Sequence, residues 1–291
     1  MNAASIPPPR MHWGLLLAAA ATLMITMGAR QTTGLFVAPI HQDTGIGIAA
    51  ISFALAIGQF TWGAVQPVFG AIADKRGSTG VLVLGAVLLA LGLALTPHLT
   101  SAWGLMFTLG VLTAAGAGAG SFSILIGATA QRLAPEQRSF AAGFINAGGS
   151  LGQFVFAPLV QAVIALAGWA SAMYSQAVAW FLALRLGLAL RTTTTPVPAS
   201  HAVTAIGDIT LKQQIAIALR DRSYWMLHLG FFTCGVHIAF LVTHLPGEIA
   251  LCGLSPSVSA VSIALIGLFN VAGSLVAGAL GQRMRMKWIL A

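Results

Sequence analysis

One arginine lies inside a long apolar stretch of the sequence, where a charged side chain is costly. Arg30 follows an apolar run that begins at Trp13, and an unpaired cation in hydrocarbon costs at least about 3 kcal/mol. We therefore expect Arg30 to face a protein interior that contains water. A guanidinium holds a carboxylate through two parallel hydrogen bonds, so binding of an anionic ligand is one interpretation. Snorkelling to lipid headgroups and a purely structural hydrogen bond are the alternatives.

Four more polar side chains lie within apolar stretches. Gln31 adjoins Arg30, and Asn146 and Gln153 share a later stretch. A buried amide needs a hydrogen-bond partner, so each of these three either lines a ligand pathway or joins two helices. His237 lies in a stretch further along the chain, where a histidine can carry a proton near neutral pH or complement an anion. A structural hydrogen bond is the alternative for His237.

A compact charged cluster separates two of the apolar stretches. It consists of Asp74, Lys75 and Arg76, between Gly70 and Gly77. A carboxylate beside two cations at a helix end can pair with neighbouring helix ends in one conformation and release them in another. The cluster is therefore a candidate gate, and an ordinary solvated loop is the alternative.

The composition indicates an integral membrane protein. Of 291 residues, 57% are hydrophobic and only 7% are charged, whereas about a quarter of a soluble domain is charged. The mean hydropathy is +0.89. The net charge of +8 comes from basic residues scattered between apolar stretches, which disfavours nucleic acid as a partner. The sequence contains no metal-ligand spacing, no nucleotide-binding motif and only two cysteines, so we expect neither a metal nor another cofactor.

The apolar stretches are long enough to cross a bilayer as helices. About 20 apolar residues cover a hydrocarbon core of about 30 Å, and the alternation typical of a β-barrel is absent. The sequence therefore predicts an all-α membrane protein with eight spans. They cover residues 13–38, 48–71, 79–97, 102–130, 139–166, 169–190, 223–246 and 258–280.

The basic residues predict the orientation of these spans. Apart from Arg30, all the lysines and arginines lie at one set of alternate span ends and loops. Cytoplasmic loops accumulate lysine and arginine, so we expect the N-terminus to be cytoplasmic. Residues 191–222 form the longest predicted loop, with an amphipathic helix over residues 209–219.

Two parts of the chain repeat one another. The segment GAIADKR that begins at Gly70 matches GALGQRM, which begins at Gly278 and lies 208 residues later. A nearly identical offset aligns Arg30 with His237. The repeat predicts two homologous halves of parallel topology. We therefore expect a six-span bundle at 1–190, a central cytoplasmic loop at 191–222 and two spans of a second bundle at 223–291.

The sequence resembles the major facilitator superfamily of transporters. The stretch from Gly70 to Gly77, GAIADKRG, is similar to the signature loop between the second and third spans of that superfamily. The segments GARQTTGLFVAPI, GFFTCGVHIAFLVTHLP and RSFAAGFINAGGSLGQFVFAPL resemble bacterial members near its monocarboxylate and oxalate transporter branch. One departure is Gln282, which stands in the second signature loop where the first has Asp74.

The resemblance implies a fold and a function. Members have twelve spans in two six-helix bundles, with substrate bound between the bundles, so we expect this chain to be a C-terminally truncated fragment. The implied function is secondary active transport of a small organic anion, such as a monocarboxylate, across a bacterial inner membrane by alternating access. Coupling is expected either to protons or to exchange, and the charged cluster is expected to act as a gate. The alternative is a non-transporting, receptor-like or structural membrane protein; an enzyme is not expected.

Overall fold

The computed structural model describes residues 12–130, 132–189 and 211–284, and every regular element in these ranges is helical. The α-helices are α1 (Trp13–Gln31), α2 (Val37–Thr44), α3 (Ile48–Arg76), α4 (Ser78–Leu95), α5 (Ala102–Leu105), α6 (Ala114–Ala119), α7 (Phe122–Ala130), α8 (Pro135–Ala189), α9 (Leu211–Arg220), α10 (Arg222–Leu251) and α11 (Pro256–Leu280). Short 3-10 helices cover Thr33–Phe36 and Thr96–His98, and a π-helical segment covers Met106–Thr113.

Seven helical segments in the described chain are long and apolar enough to cross a membrane. They are Trp13–Thr44, Ile48–Arg76, Ser78–His98, Ala102–Ala130, Pro135–Phe181, Arg222–Leu251 and Pro256–Leu280. The segment within α8 covers the fifth predicted span and the first part of the sixth, which accounts for the difference from the eight expected. The prediction of an all-α membrane protein is confirmed.

The first part of α8 runs parallel to α1. A Cβ atom at Gly148 would lie 2.6 Å from the carbonyl oxygen of Ala20, and one at Gly152 would overlap the carbonyl oxygen of Met24. Residue numbers therefore rise in the same direction along α1 and the first part of α8, so the two helices are parallel. Small residues allow two helix backbones to approach this closely, and membrane helices use them widely for that purpose.

The second part of α8 runs in the opposite direction. Trp169 donates from Nε1 to Asp43 at 2.9 Å, and Gln176 donates from Nε2 to Thr32 Oγ1 at 3.3 Å. Residue numbers therefore fall along α8 as they rise along the first span. The reversal occurs at Gly168, whose φ of 82° and ψ of 167° are accessible to glycine and rarely to other residues. This glycine divides α8 into the two spans that the sequence predicts.

Helix α11 packs antiparallel against the first part of α8. Near one end, Gln282 donates to the Glu136 carbonyl oxygen at 3.2 Å, and Ser139 donates to the Gly278 carbonyl oxygen at 3.2 Å. Towards the other end the helices part around a cavity of about 420 Å³, which Ser257 helps to line. The pair is thus closely packed at one end and separated at the other.

The outward-facing side chains of the helices are apolar. On α4, Leu84 and Leu91 are exposed, whereas Leu89 and Leu93 are fully buried between helices. An apolar face without a protein partner suits contact with lipid, since lipid tails are as apolar as leucine. This pattern and the seven apolar segments agree with an integral, multi-pass membrane protein.

The described chain forms two compact units. One contains residues 12–189 and 242–284, and the other contains residues 211–241. The second unit consists of α9 and the larger part of α10. Residues 190–210, which include most of the predicted central loop, lie outside the described residues, and the predicted domain boundaries at 190 and 223 stay predictions.

Three helical segments extend past their predicted ends, and the first of them continues to Thr44 rather than to residue 38. Helix α3 continues to Arg76, because the charged cluster forms its last turn rather than a loop. Helix α10 continues past Pro246 to Leu251. A proline inside a helix removes one hydrogen bond and kinks the helix without ending it, and membrane helices tolerate this change.

The close contact at Gly152 provides a test of the packing. We expect Gly152→Ala to destabilise the protein by about 1–3 kcal/mol, because the added methyl group overlaps the backbone of α1. Gly63→Ala is the matched control, because a Cβ at this position meets open space and replaces a poor helix former. Unfolding in detergent, followed by circular dichroism, measures both variants. Equal midpoints would contradict the described contact.

Candidate anion site

Arg30 lies midway along the first membrane-crossing segment. It is in the last turn of α1, about 26 Å along the axis from Trp13, and the segment continues through Thr44. Because the chain remains helical past Arg30, the guanidinium lies far from both ends of the segment. This depth leaves a snorkelling side chain a long way from either headgroup region.

Two side chains of α3 hold the Arg30 guanidinium. Arg30 donates a hydrogen bond from Nη2 to Gln59 Oε1, and its Cζ atom lies 4.0 Å from the centre of the Trp62 ring. Gln59 and Trp62 are three residues apart and therefore share one face of the helix. A cation over an indole ring is stabilised by about 0.5–2 kcal/mol. The two contacts direct the guanidinium into the helix bundle.

A small cavity lies beside this guanidinium. Its lining residues come from the first four apolar segments and are Arg30, Thr33, Leu55, Gly58, Gln59, Leu89, Leu109, Thr113, Ala114 and Ala117. The cavity volume is about 40 Å³, enough for about three water molecules. Arg30 supplies the one charge in this described lining, so the cavity is positively charged and lacks an acidic side chain.

The guanidinium retains hydrogen-bonding capacity towards the cavity. A guanidinium carries five N–H donors, and Gln59 accepts from one of them in the described structure. Donors that point into a low-dielectric cavity form stronger hydrogen bonds with an anion than they do in water. The arrangement can therefore hold a small carboxylate or a similar anion.

The other predicted binding residues in the first compact unit lie outside the cavity lining. Gln31 is half-buried at the end of α1. Asn146 donates to Ser274 Oγ of α11 at 2.8 Å and so joins two helices. Gln153 is 1% exposed, and neither amide atom of its side chain has a partner among the described residues. A role in substrate binding stays a prediction for all three.

His237 belongs to the second compact unit. Its side chain is exposed on α10, within the portion of the helix that precedes residue 242. Its alignment with Arg30 through the sequence repeat stays a prediction.

The predicted gate residues cluster at the end of α3. Asp74, Lys75 and Arg76 are exposed in its last turn, and Gly70 lies half-buried one and a half turns earlier. Gly77 connects α3 directly to α4 with a φ of 87° and a ψ of 150°, a conformation that suits glycine. Asp74 forms no ion pair or hydrogen bond with any residue that the structure describes, so its role as a gate stays a prediction.

Sequence reasoning missed three residues of the site. Gln59 and Trp62 hold Arg30, and Thr113 is one of the residues that line the cavity. A glutamine and a tryptophan at a helical spacing of three, inside an apolar span, were the available signal for the first two. Among the described residues, no group of three or more metal-ligating side chains lies close enough to hold a metal ion.

These features define an integral membrane protein whose interior carries a cation beside a cavity. The sequence pattern of the Major Facilitator Superfamily matches residues 18–291, and the chain belongs to this family of membrane transporters. The predicted family is therefore confirmed.

Individual relatives agree with the predicted branch. The chain is 26% identical over 260 residues to the oxalate:formate antiporter of Oxalobacter formigenes, covering 89% of this chain and 60% of that protein. It is 26% identical over 306 residues to monocarboxylate transporter 13 of Rattus norvegicus, covering 97% of this chain and 66% of that protein. The chain thus spans 60–66% of the length of these relatives.

Proposed function

We propose that this protein is a secondary active transporter of a small organic anion, with a monocarboxylate or oxalate as the first candidates. The observation that carries the proposal is the Arg30 guanidinium, which faces a cavity without an acidic side chain in its described lining. The names of the relatives, an oxalate:formate antiporter and a monocarboxylate transporter, support the same class of substrate.

The depth of the cavity supports a transport role. Secondary transporters bind substrate near the bilayer midplane and expose the site to each side in turn. Arg30 lies about 26 Å from the start of its segment, and Gln59 lies about 17 Å from the start of α3. A site in the middle of the helices is accessible only through the protein, as alternating access requires.

The packing of α8 and α11 supports a rocking movement. The pair is closed near Glu136 and Gln282 and separated around Ser257. In the proposed orientation the N-terminus is cytoplasmic and the closed end faces the cytoplasm of a bacterial cell. Rocking about the crossing of these helices then closes one end as it opens the other. Coupling to protons, with His237 as a candidate carrier, and coupling to exchange are both compatible with the proposal.

Radiolabelled uptake tests the proposal. The purified chain is reconstituted into liposomes loaded with unlabelled formate or oxalate, and uptake of [14C]oxalate and [14C]formate is followed over time. We expect saturable uptake that depends on the internal anion or on a proton gradient. Saturable binding without any flux would favour the receptor-like alternative, and the absence of both would contradict an anion site.

The gate hypothesis predicts a loss of flux. Asp74→Asn removes the carboxylate that would pair with neighbouring helix ends in one conformation, so we expect uptake to fall at least about fivefold. This loss corresponds to roughly 1 kcal/mol. Asp221→Asn is the control, because Asp221 is also an exposed carboxylate at a helix end. Membrane insertion of both variants is checked on blots of membrane fractions. Normal uptake by Asp74→Asn would show that the cluster is an ordinary solvated helix end without a gating role.

A further inference from the structure

Thr113 differs from the other buried threonines of the described chain. Seven threonines are buried, and in six of them the hydroxyl donates to the backbone carbonyl four residues earlier; these six are Thr22, Thr26, Thr32, Thr96, Thr108 and Thr129. Thr113 is 7% exposed, and its Oγ1 has no partner among the described residues. A buried hydroxyl without a partner is unfavourable, which points to a ligand or water that completes it.

The π-helical segment explains why Thr113 lacks the usual backbone partner. Thr113 is the last residue of Met106–Thr113, and the carbonyl four residues earlier belongs to Leu109 inside the same wide turn. Thr108 reaches back to Gly104, in the α-helix that precedes the wide turn, and donates to it at 2.9 Å. Widened turns of this kind are rare and occur frequently at functional sites.

The surroundings of Thr113 contain a cavity for a ligand but no described protein group that hydrogen-bonds its hydroxyl. Its hydroxyl abuts Gly92 of α4, where a Cβ atom would overlap Oγ1 and where no side chain can accept a hydrogen bond. Thr113 and Arg30 line the same cavity. A hydroxyl can donate to a carboxylate oxygen, and a hydrogen bond to a charged acceptor is stronger than one to a neutral group.

We infer that Thr113 is a second ligand-contacting residue of the anion site and donates its hydroxyl to the anion that Arg30 holds. This inference rests on the proposed anion-binding function. The π-helical segment would then contribute directly to the site. Within it, the Leu109 carbonyl does not accept a hydrogen bond from the Thr113 hydroxyl, so the hydroxyl can donate to the substrate.

Paired measurements of affinity and stability on the full chain test this inference. We expect Thr113→Val to weaken binding of [14C]oxalate and [14C]formate about tenfold, as loss of a hydrogen bond to a charged group predicts. Without ligand, the same variant should unfold about 2–4 °C higher, because it removes an unpartnered buried hydroxyl. A hydroxyl with a structural partner would lower the unfolding midpoint on removal. Thr113→Ser keeps the donor and should bind within about twofold of the unchanged chain.

Thr108→Val is the matched control within the same segment. It removes a hydroxyl that already has a backbone partner, so it should lower the unfolding midpoint and leave anion affinity unchanged. Unchanged affinity in Thr113→Val, combined with lost binding in Arg30→Gln, would overturn the role of Thr113 alone. Equal binding by the unchanged chain and Arg30→Gln, or no binding by the unchanged chain, would overturn the proposed function and this inference together.

Discussion

Replacing Arg30 with glutamine is expected to remove anion binding by this protein. The cavity retains its shape in this variant but loses the one charge of its described lining. Removing one partner of a buried, hydrogen-bonded charge pair costs about 2–5 kcal/mol, so affinity should fall at least about 30-fold. Equilibrium binding of [14C]oxalate and [14C]formate to the chain in lipid nanodiscs measures the change.

Two further variants separate the charge of Arg30 from its geometry. Arg30→Lys keeps the charge but cannot donate two parallel hydrogen bonds to a carboxylate, so its affinity should lie between those of the unchanged chain and Arg30→Gln. Arg220→Gln removes an exposed arginine from α9 and should bind like the unchanged chain. Binding by Arg30→Gln that matches the Arg220→Gln control would assign Arg30 a purely structural role.

Converting Gln59 to glutamate is expected to remove binding even though Arg30 remains. Gln59 Oε1 already accepts a hydrogen bond from the guanidinium, so a carboxylate at this position forms an ion pair with it. The ion pair neutralises the cavity and occupies donors that the anion needs. We expect an affinity loss comparable to that of Arg30→Gln, at least about 30-fold.

The same substitution should stabilise the protein without ligand. An ion pair inside the membrane replaces a cation held by neutral groups, so the unfolding midpoint of Gln59→Glu should rise. Gln59→Leu is the comparison, because it removes one contact that orients Arg30 but leaves its charge free, so its loss of affinity should be clearly smaller than that of Gln59→Glu. Tight anion binding by Gln59→Glu would mean that the anion does not contact this guanidinium.

The helices and the membrane class follow directly from the sequence. Apolar runs of this length without alternation are helical in a bilayer, because a helix gives each backbone group a partner within its own segment. Gly168 between two such runs marks the reversal that divides α8. The inward orientation expected for Arg30 also follows from local cost, since a cation facing lipid at that depth would be unstable.

The partners of Arg30 depend on information that one sequence does not contain. Whether Gln59 and Trp62 meet Arg30 depends on the rotation of α3 against α1, which many packing contacts decide together. Asn146 illustrates the opposite outcome, because its amide bonds Ser274 of α11 and lies outside the cavity lining. Polar residues in apolar spans are therefore easy to find from the sequence, but the sequence does not show which of them lie together in one site.

The unpartnered hydroxyl of Thr113 could not be predicted from the sequence for a different reason. A threonine in an apolar helix ordinarily bonds its own backbone, as six of the seven buried threonines do. The exception arises from the π-helical segment, which side-chain periodicity does not reveal because it affects a single stretch of eight residues.

The distance between the bound anion and the guanidinium of residue 30 tests the central claim most directly. Solid-state NMR can measure the dipolar coupling between [13C]oxalate and 15N-arginine in the membrane-embedded chain, with Arg30→Gln identifying the signal that belongs to residue 30. We predict a carbon–nitrogen separation within about 4 Å, as a bidentate contact requires, and its disappearance in Arg30→Gln. A coupling that persists in that variant, or saturable binding without any coupling, would place the anion elsewhere and contradict the proposed site.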